Sequence, residues 1–248
     1  MDHFPNYWGM PPQESFDRYN IFQDKTKNNA ISDPTTNTKQ PIVTGTSVIA
    51  FKYKDASFGS LARYREVERL YPVGEYTVLA SSGDFSDFQY VKHTLDKIMT
   101  KEYYTNDGHI LGTPHIYEYL SQVMYHRRSK LNPLWNAFVV GGYHNGEGYL
   151  GYVNLLGTTF QASTITTGIG MYMASPLLRK AVEGHEDTLT EAEAVDLVEQ
   201  VMRVLYYRDS QSINRYQRAK ITAQGVEISP LLSAPTDWSI GKDLRGYQ

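Results

Sequence analysis

The chain has 248 residues, 41% of them hydrophobic and 21% charged, with a formal net charge of −3, the balance of a folding globular protein rather than a disordered or collagen-like one. There is no basic field to neutralise phosphates, no apolar run near the ~20 residues that cross a bilayer, and no basic-then-apolar leader in MDHFPNYWGM, so neither nucleic acid nor membrane is expected as a partner and the chain reads as intracellular. The absence of cysteine removes disulfides, thiolate nucleophiles and thiolate metal sites, leaving Ser, Thr or Lys for any covalent chemistry.

In chain order, residues 1–37 are rich in Asn, Thr, Pro, Gln and Asp without sustained periodicity and are expected as a flexible, propeptide-like segment that buries too little to offset the entropy of ordering. Pattern begins at Pro41-Ile42-Val43, where Val43, Gly45, Ser47, Ile49 and Phe51 share one face of a strand and Val48 and Ala50 the other, so both sides are apolar. A second strand covers residues 76–80 and is expected to stop at Ser81-Ser82-Gly83-Asp84. Ser86 with Gln89 reads as a capping box, opening a helix with Phe88, Val91, Leu95, Ile98 and Met99 on one stripe. After Asn106-Asp107-Gly108, Thr113 as cap and Pro114 in the first turn open a second helix, with Ile116, Leu120, Val123 and Met124 facing inward.

Strands at 136–141, 149–155 and 160–164 follow, the first pair joined at Asn145-Gly146. Pro176-Leu177-Leu178 opens a third helix, and Thr190 with Glu193 caps a fourth whose Val195, Val198, Val201, Met202 and Leu205 form an apolar stripe. Strands at 219–222 and 226–229 close the folded part, and residues 230–248 read as an extended tail with Trp238, Ile240, Leu244 and Tyr247 as separated anchors. Strands, two helices, strands, two helices, strands is the order of segregated layers, an α+β fold, and not of alternating βαβ units.

Few residues outside this frame point to chemistry. His3, His93, His109, His115, His126, His144 and His185 lack ligand spacing, so no metal is expected. Arg127, Arg128 and Lys130 near a helix end read as dipole complements, and Gly168 with Gly170 as a strand-to-helix turn.

Several strings carry a resemblance: Gln40-Pro41-Ile42-Val43-Thr44-Gly45-Thr46-Ser47-Val48, Phe58-Gly59-Ser60-Leu61, Ser82-Gly83-Asp84, Arg127-Arg128-Ser129-Lys130, Asn132-Pro133-Leu134-Trp135-Asn136-Ala137 and Met202-Arg203-Val204-Leu205-Tyr206-Tyr207-Arg208-Asp209. Over nearly all of residues 38–248 the chain resembles the β-type subunits of the fungal 20S proteasome core, in particular the seventh, non-catalytic type. The resemblance implies the four-layer αββα sandwich of N-terminal nucleophile hydrolases for residues 38–229, and no cofactor. It also implies a place among other β-type and α-type proteasome subunits in a four-ring particle, built with assembly chaperones in cytoplasm and nucleus and serving ubiquitin-dependent and general protein degradation.

In active members of that family, a threonine freed by cleavage after glycine is the nucleophile, supported by a lysine, an aspartate and its own α-amino group. Here the resemblance puts Thr46 at the nucleophile position, Arg69 where the lysine stands, and Asp209 and Ser212 at the supporting carboxylate and hydroxyl. A guanidinium stays protonated and cannot act as the compact base a buried ammonium becomes. Relatives also carry a strand of the type Gly-Val-Ile-Ile-Ala-Ala-Asp between Asp55 and Ala56, ending in the catalytic aspartate. Its loss is expected to leave the first strand without a partner and the Asp55–Ala56 junction anomalous. The expectation is therefore a structural β subunit, against an active threonine endopeptidase of the same particle or a free-standing hydrolase. Relatives are trimmed upstream of the threonine, which implies processing at Asn37–Thr38. Their tails clamp the two β rings, so Trp238, Ile240, Leu244 and Tyr247 are expected to leave their own subunit.

Overall fold

The computed structural model describes residues 44–45, 47–53, 56–60, 68–105, 107–108, 110–209 and 212–239. Among these, β1 (Thr44–Gly45), β2 (Ile49–Tyr53), β3 (Ala56–Ser60), β4 (Leu70–Val73) and β5 (Thr77–Asp84) precede α1 (Phe85–Thr105) and α2 (Thr113–Ser129). Next come β6 (Asn136–His144), β7 (Glu147–Val153), β8 (Thr159–Gln161) and β9 (Thr164–Thr166), then α3 (Gly170–Val182) and α4 (Glu191–Arg208), and finally β10 (Ala219–Thr222) and β11 (Gly225–Ile228). One sheet runs β1-β5-β6-β7-β8 with β4 also on β5, and the other runs β11-β10-β3-β2-β9.

Side-chain alternation along the strands sorts the core into three dry layers. Val48, Ala50, Val78, Ala80, Val139 and Ile221 meet between the two sheets. Their sequence neighbours point the other way: Leu79, Phe138 and Val140 meet Phe88, Leu95, Leu120 and Met124 of α1 and α2, while Ile49 and Phe51 meet Leu178, Val198, Val201 and Leu205 of α3 and α4. The result is helices, sheet, sheet, helices. A strand apolar on both faces is what a position between a helix layer and a second sheet requires, which accounts for the run from Val48 to Phe51.

The expectation that this first strand has no partner is overturned. β2 pairs with β3 on one side, from Ile49 opposite Ser60 to Tyr53 opposite Ala56, and with β9 on the other; β3 pairs in turn with β10. The chain fills the slot with the residues that come next, because an unpaired buried strand costs more than a change of register. Asp55 itself lies outside the described residues.

Other boundaries moved for physical reasons. β5 does not stop at Ala80 but runs to Asp84, since Ser81 and Ser82 are buried against β6, paired with Phe138 and Ala137. Asp84, not Ser86, caps α1, its Oδ1 accepting the Ser86 and Asp87 backbone N–H at 2.9 and 3.0 Å. Gly112, one residue before Thr113, is the cap of α2; the Thr113 hydroxyl is spent instead on Thr77, 2.7 Å away. The hairpin at Asn145 and Gly146 has φ of 52° and 88°, the left-handed pair that matches strand twist. The stretch expected as one strand at 160–164 divides into β8 and β9, which join different sheets. Pro176 lies inside α3, which begins six residues earlier at Gly170.

Candidate functional site

At one end of the sandwich, the residues preceding position 46 add to the edge of β5. Thr44 lies opposite Asp84 and Gly45 opposite Gly83. β5 therefore has its free edge covered by β4 over residues 77–80, by the Arg69 carbonyl, which accepts the Ser81 N–H at 3.1 Å, and by β1 at its end. Gly83 is required there: its φ is +99°, and a Cβ would stand 2.0 Å from the Trp135 carbonyl oxygen.

Beyond position 46 the chain is fixed just as firmly. Ser47, 1% exposed, accepts the Gly170 N–H on its hydroxyl oxygen at 2.9 Å and so caps α3 from 123 residues away. The Val48 N–H donates to the Thr167 hydroxyl at 2.9 Å, and the Thr167 N–H returns to the Val48 carbonyl at 2.8 Å. Thr46, the expected nucleophile position, lies outside the described residues, as do Asn37, Thr38, Ile240, Leu244 and Tyr247. Gly45, before Thr46, is held by strand pairing, and Ser47, after it, by its side-chain hydroxyl.

Arg69 reaches this end from the position just before β4. It has no exposed surface; its Nη1 donates to the Gly83 carbonyl at 3.1 Å and its guanidinium lies 5.5 Å from the centre of the Phe85 ring. The same corner holds Asn136, 2% exposed, whose Nδ2 donates to the Ser81 hydroxyl and to the Ser82 and Asp84 carbonyls at 3.1, 3.1 and 2.8 Å. Next to it, the Asp87 carboxyl accepts the Trp135 N–H at 2.9 Å. Burial pushes that carboxyl above the ordinary carboxylate range; the Trp135 N–H opposes the shift, the Asp84 charge adds to it and Arg127 draws it back.

Asp209 and Ser212 sit at the far end of α4. Asp209 is its C-terminal cap, buried, with its N–H on the Leu205 carbonyl at 2.8 Å. The Ser212 hydroxyl donates to the Asp209 and Leu205 carbonyls at 2.8 and 3.3 Å, so its proton is engaged in closing the helix. Sequence reasoning found Arg69 but passed over Asn136 and Ser47. Only the burial of Asn136 inside the Asn-Pro-Leu-Trp-Asn run marks it, and Ser47 carries no local signal, because its partner is distant in sequence.

The described part of the tail lies against its own fold. Leu232 bridges to Tyr216, Asn214 and Ala234 exchange two hydrogen bonds at 2.8 and 2.9 Å, and the Tyr207 hydroxyl accepts the Asp237 N–H at 2.7 Å. Trp238 packs edge-on against the Tyr206 and Tyr207 rings, with centroids 6.0 and 4.9 Å away, and keeps 53% of its surface exposed. Leu232, Ala234 and Trp238 gain more by lining their own fold than by entering water. Among the described residues, no group of three or more His, Asp or Glu could hold a metal ion, and no helix is long and apolar enough to cross a membrane.

Comparison with known proteins gives one consistent answer. The family model described as proteasome subunit matches residues 42–221. Over 224 residues the chain is 44% identical to the Xenopus laevis proteasome subunit beta type-4, covering 87% of this chain and 92% of that protein. It is 42% identical to the Saccharomyces cerevisiae proteasome subunit beta type-7, over 100% of this chain and 98% of the relative. It is 40% identical to the probable proteasome subunit beta type-7 of Schizosaccharomyces pombe, over 97% and 95%.

Proposed function

Since this chain belongs to the proteasome subunit family, we propose that it is a β-type subunit of the 20S core that serves assembly and does not cut peptides itself. The observation that carries this reading is Arg69: where the resemblance puts the lysine of active members there is a guanidinium, fully buried, its Nη1 donating to the Gly83 carbonyl at 3.1 Å. The residues ahead of Thr46 pair at the same corner, Thr44 with Asp84 and Gly45 with Gly83. Arg69, hydrogen-bonded to the carbonyl of the residue that faces Gly45, fixes the strand and supplies no base.

In this reading the mature chain is trimmed by a neighbouring subunit near Asn37–Thr38 and keeps the residues ahead of Thr46. Its partners are other β-type and α-type subunits and assembly chaperones, its location cytoplasm and nucleus, and its tail contributes to joining half-particles. Thr46→Ala, placed in the assembled particle, is the test. Every peptidase activity of the particle is expected to stay at wild-type level; selective loss of one activity with normal assembly would assign Thr46 as an active threonine nucleophile instead.

A further inference from the structure

The carboxyl end of α2 is built in a way that packing among the described residues does not explain. The Leu131 N–H donates to the Arg128 carbonyl and the Asn132 N–H to the Arg127 carbonyl, both at 3.1 Å, the paired bonds that close a helix through one residue in the left-handed region. That residue is Leu131, with φ of 54°. Glycine is the usual occupant, and a leucine there is strained by its Cβ. The one other non-glycine with positive φ among the described residues is Asn145, in a hairpin turn that favours it. Leu131 recovers little from packing against the described residues, because it is 89% exposed. A strained, bulky, apolar side chain held out in water points to a use outside the subunit.

Its surroundings have the composition of an interface core. Tyr125 and Leu156 are more than half exposed and Trp135 nearly so; Gly157 lies against the Tyr125 backbone with no room for a side chain, which brings Leu156 to that turn of α2. The Arg128 guanidinium lies 5.9 Å from the Tyr125 ring centre, and Arg127 lies 5.7 Å from that of Tyr90, with its Nε buried and lacking a hydrogen-bond partner. Tyr, Trp and Arg are the residue types that dominate binding energy. His126, Arg127, Arg128 and Lys130 make this end basic on a chain whose net charge is −3.

We propose that this face docks onto a neighbouring proteasome subunit, with Leu131 as a knob entering an apolar socket rimmed by carboxylates. The inference rests on the reading of the chain as a ring subunit. The socket follows from the knob, and the acidic rim from Arg128 and Lys130 beside it, which would otherwise be brought against an uncompensated surface.

The test places a photoreactive amino acid at position 131 of the full chain in assembled particles. A crosslink to a different subunit, at a peptide carrying apolar residues with Asp or Glu, is the expected result; crosslinks confined to its own chain, to a second copy of it or to a chaperone overturn the proposal. In direct competition with the wild-type chain, Leu131→Gly should enter particles roughly tenfold less well and Leu131→Met nearly as well. Glycine is favoured at that φ, so the loss cannot come from the backbone. Equal entry of Leu131→Gly overturns the docking role. If the wild-type chain co-purifies with no other subunit, the ring reading itself fails before any variant is made, and the docking surface falls with it.

Discussion

Beneath α3 and α4, Val182, Ala194 and Val201 have no exposed surface and belong to a cluster of aliphatic and aromatic side chains, whereas at the end of β5 Arg69 and Ser81 are just as inaccessible and are held by hydrogen bonds. The first region owes its cohesion to burial, which is non-directional and tolerates a change of shape at constant volume. The second owes it to fixed donor and acceptor geometry, in which one missing group strands its partners. A helix layer of the first kind can set how stable the subunit is. A corner of the second kind sets where one short stretch of backbone lies, and here the stretch is the one leading into Thr46.

The largest effect should come from the apolar layer. Leu178, fully buried against α4, changed to Ala should cost about 2–5 kcal/mol in urea unfolding followed by tryptophan fluorescence, with Leu178→Met within about 1.5 kcal/mol. If the two variants are equally harmful, that layer is as geometrically demanding as the polar corner and the contrast collapses. In the corner, Asn136→Ala should cost about 1–3 kcal/mol by stranding the Ser82 and Asp84 carbonyls. Asn136→Asp, which puts an acceptor where a donor is needed, should be no better. A neutral Asn136→Ala would show that the corner is held by packing alone.

The smallest effect is at the mouth of α4, where the Thr190 hydroxyl accepts the Glu193 N–H and the Glu193 carboxylate accepts the Thr190 N–H at 2.9 Å. Thr190→Ala should cost about 1 kcal/mol at neutral pH. The hydrogen bonds to Thr190 hold the Glu193 carboxyl below its usual 4.5. Its contribution is thus complete above pH 4.5 and lost as pH falls through the lowered value, so the gap between Thr190→Ala and wild type should narrow in acid. A gap unchanged across that range would mean that the two halves of the cap act independently.

The layered architecture was legible because it follows from periodicity: the stripe through Phe88, Val91 and Leu95 and the one through Val198, Val201, Met202 and Leu205 are buried as the spacing requires. Local capping was legible where both partners are adjacent in sequence, as at Thr190 and Glu193. It was not legible where the partner is remote. α3 begins at Gly170 because Ser47 satisfies its first N–H, and without that knowledge Pro176 is the natural place to start a helix. The end of β5 was misread because Ser, Gly and Asp signal a turn in isolation, and their partners on β6, Asn136 among them, are about 50 residues away. Arg69 stood out by resemblance, yet its partner, a backbone carbonyl, leaves no mark in any sequence.

The clasp between Asn214 and Ala234, followed by the Tyr207–Asp237 bond and Trp238, staples the described part of the tail to the end of α4. Trp238 is thereby held in one place while 53% of its surface stays exposed. An aromatic ring already fixed loses little freedom when a second surface closes over it, whereas the same ring on a loose segment would have to be ordered first.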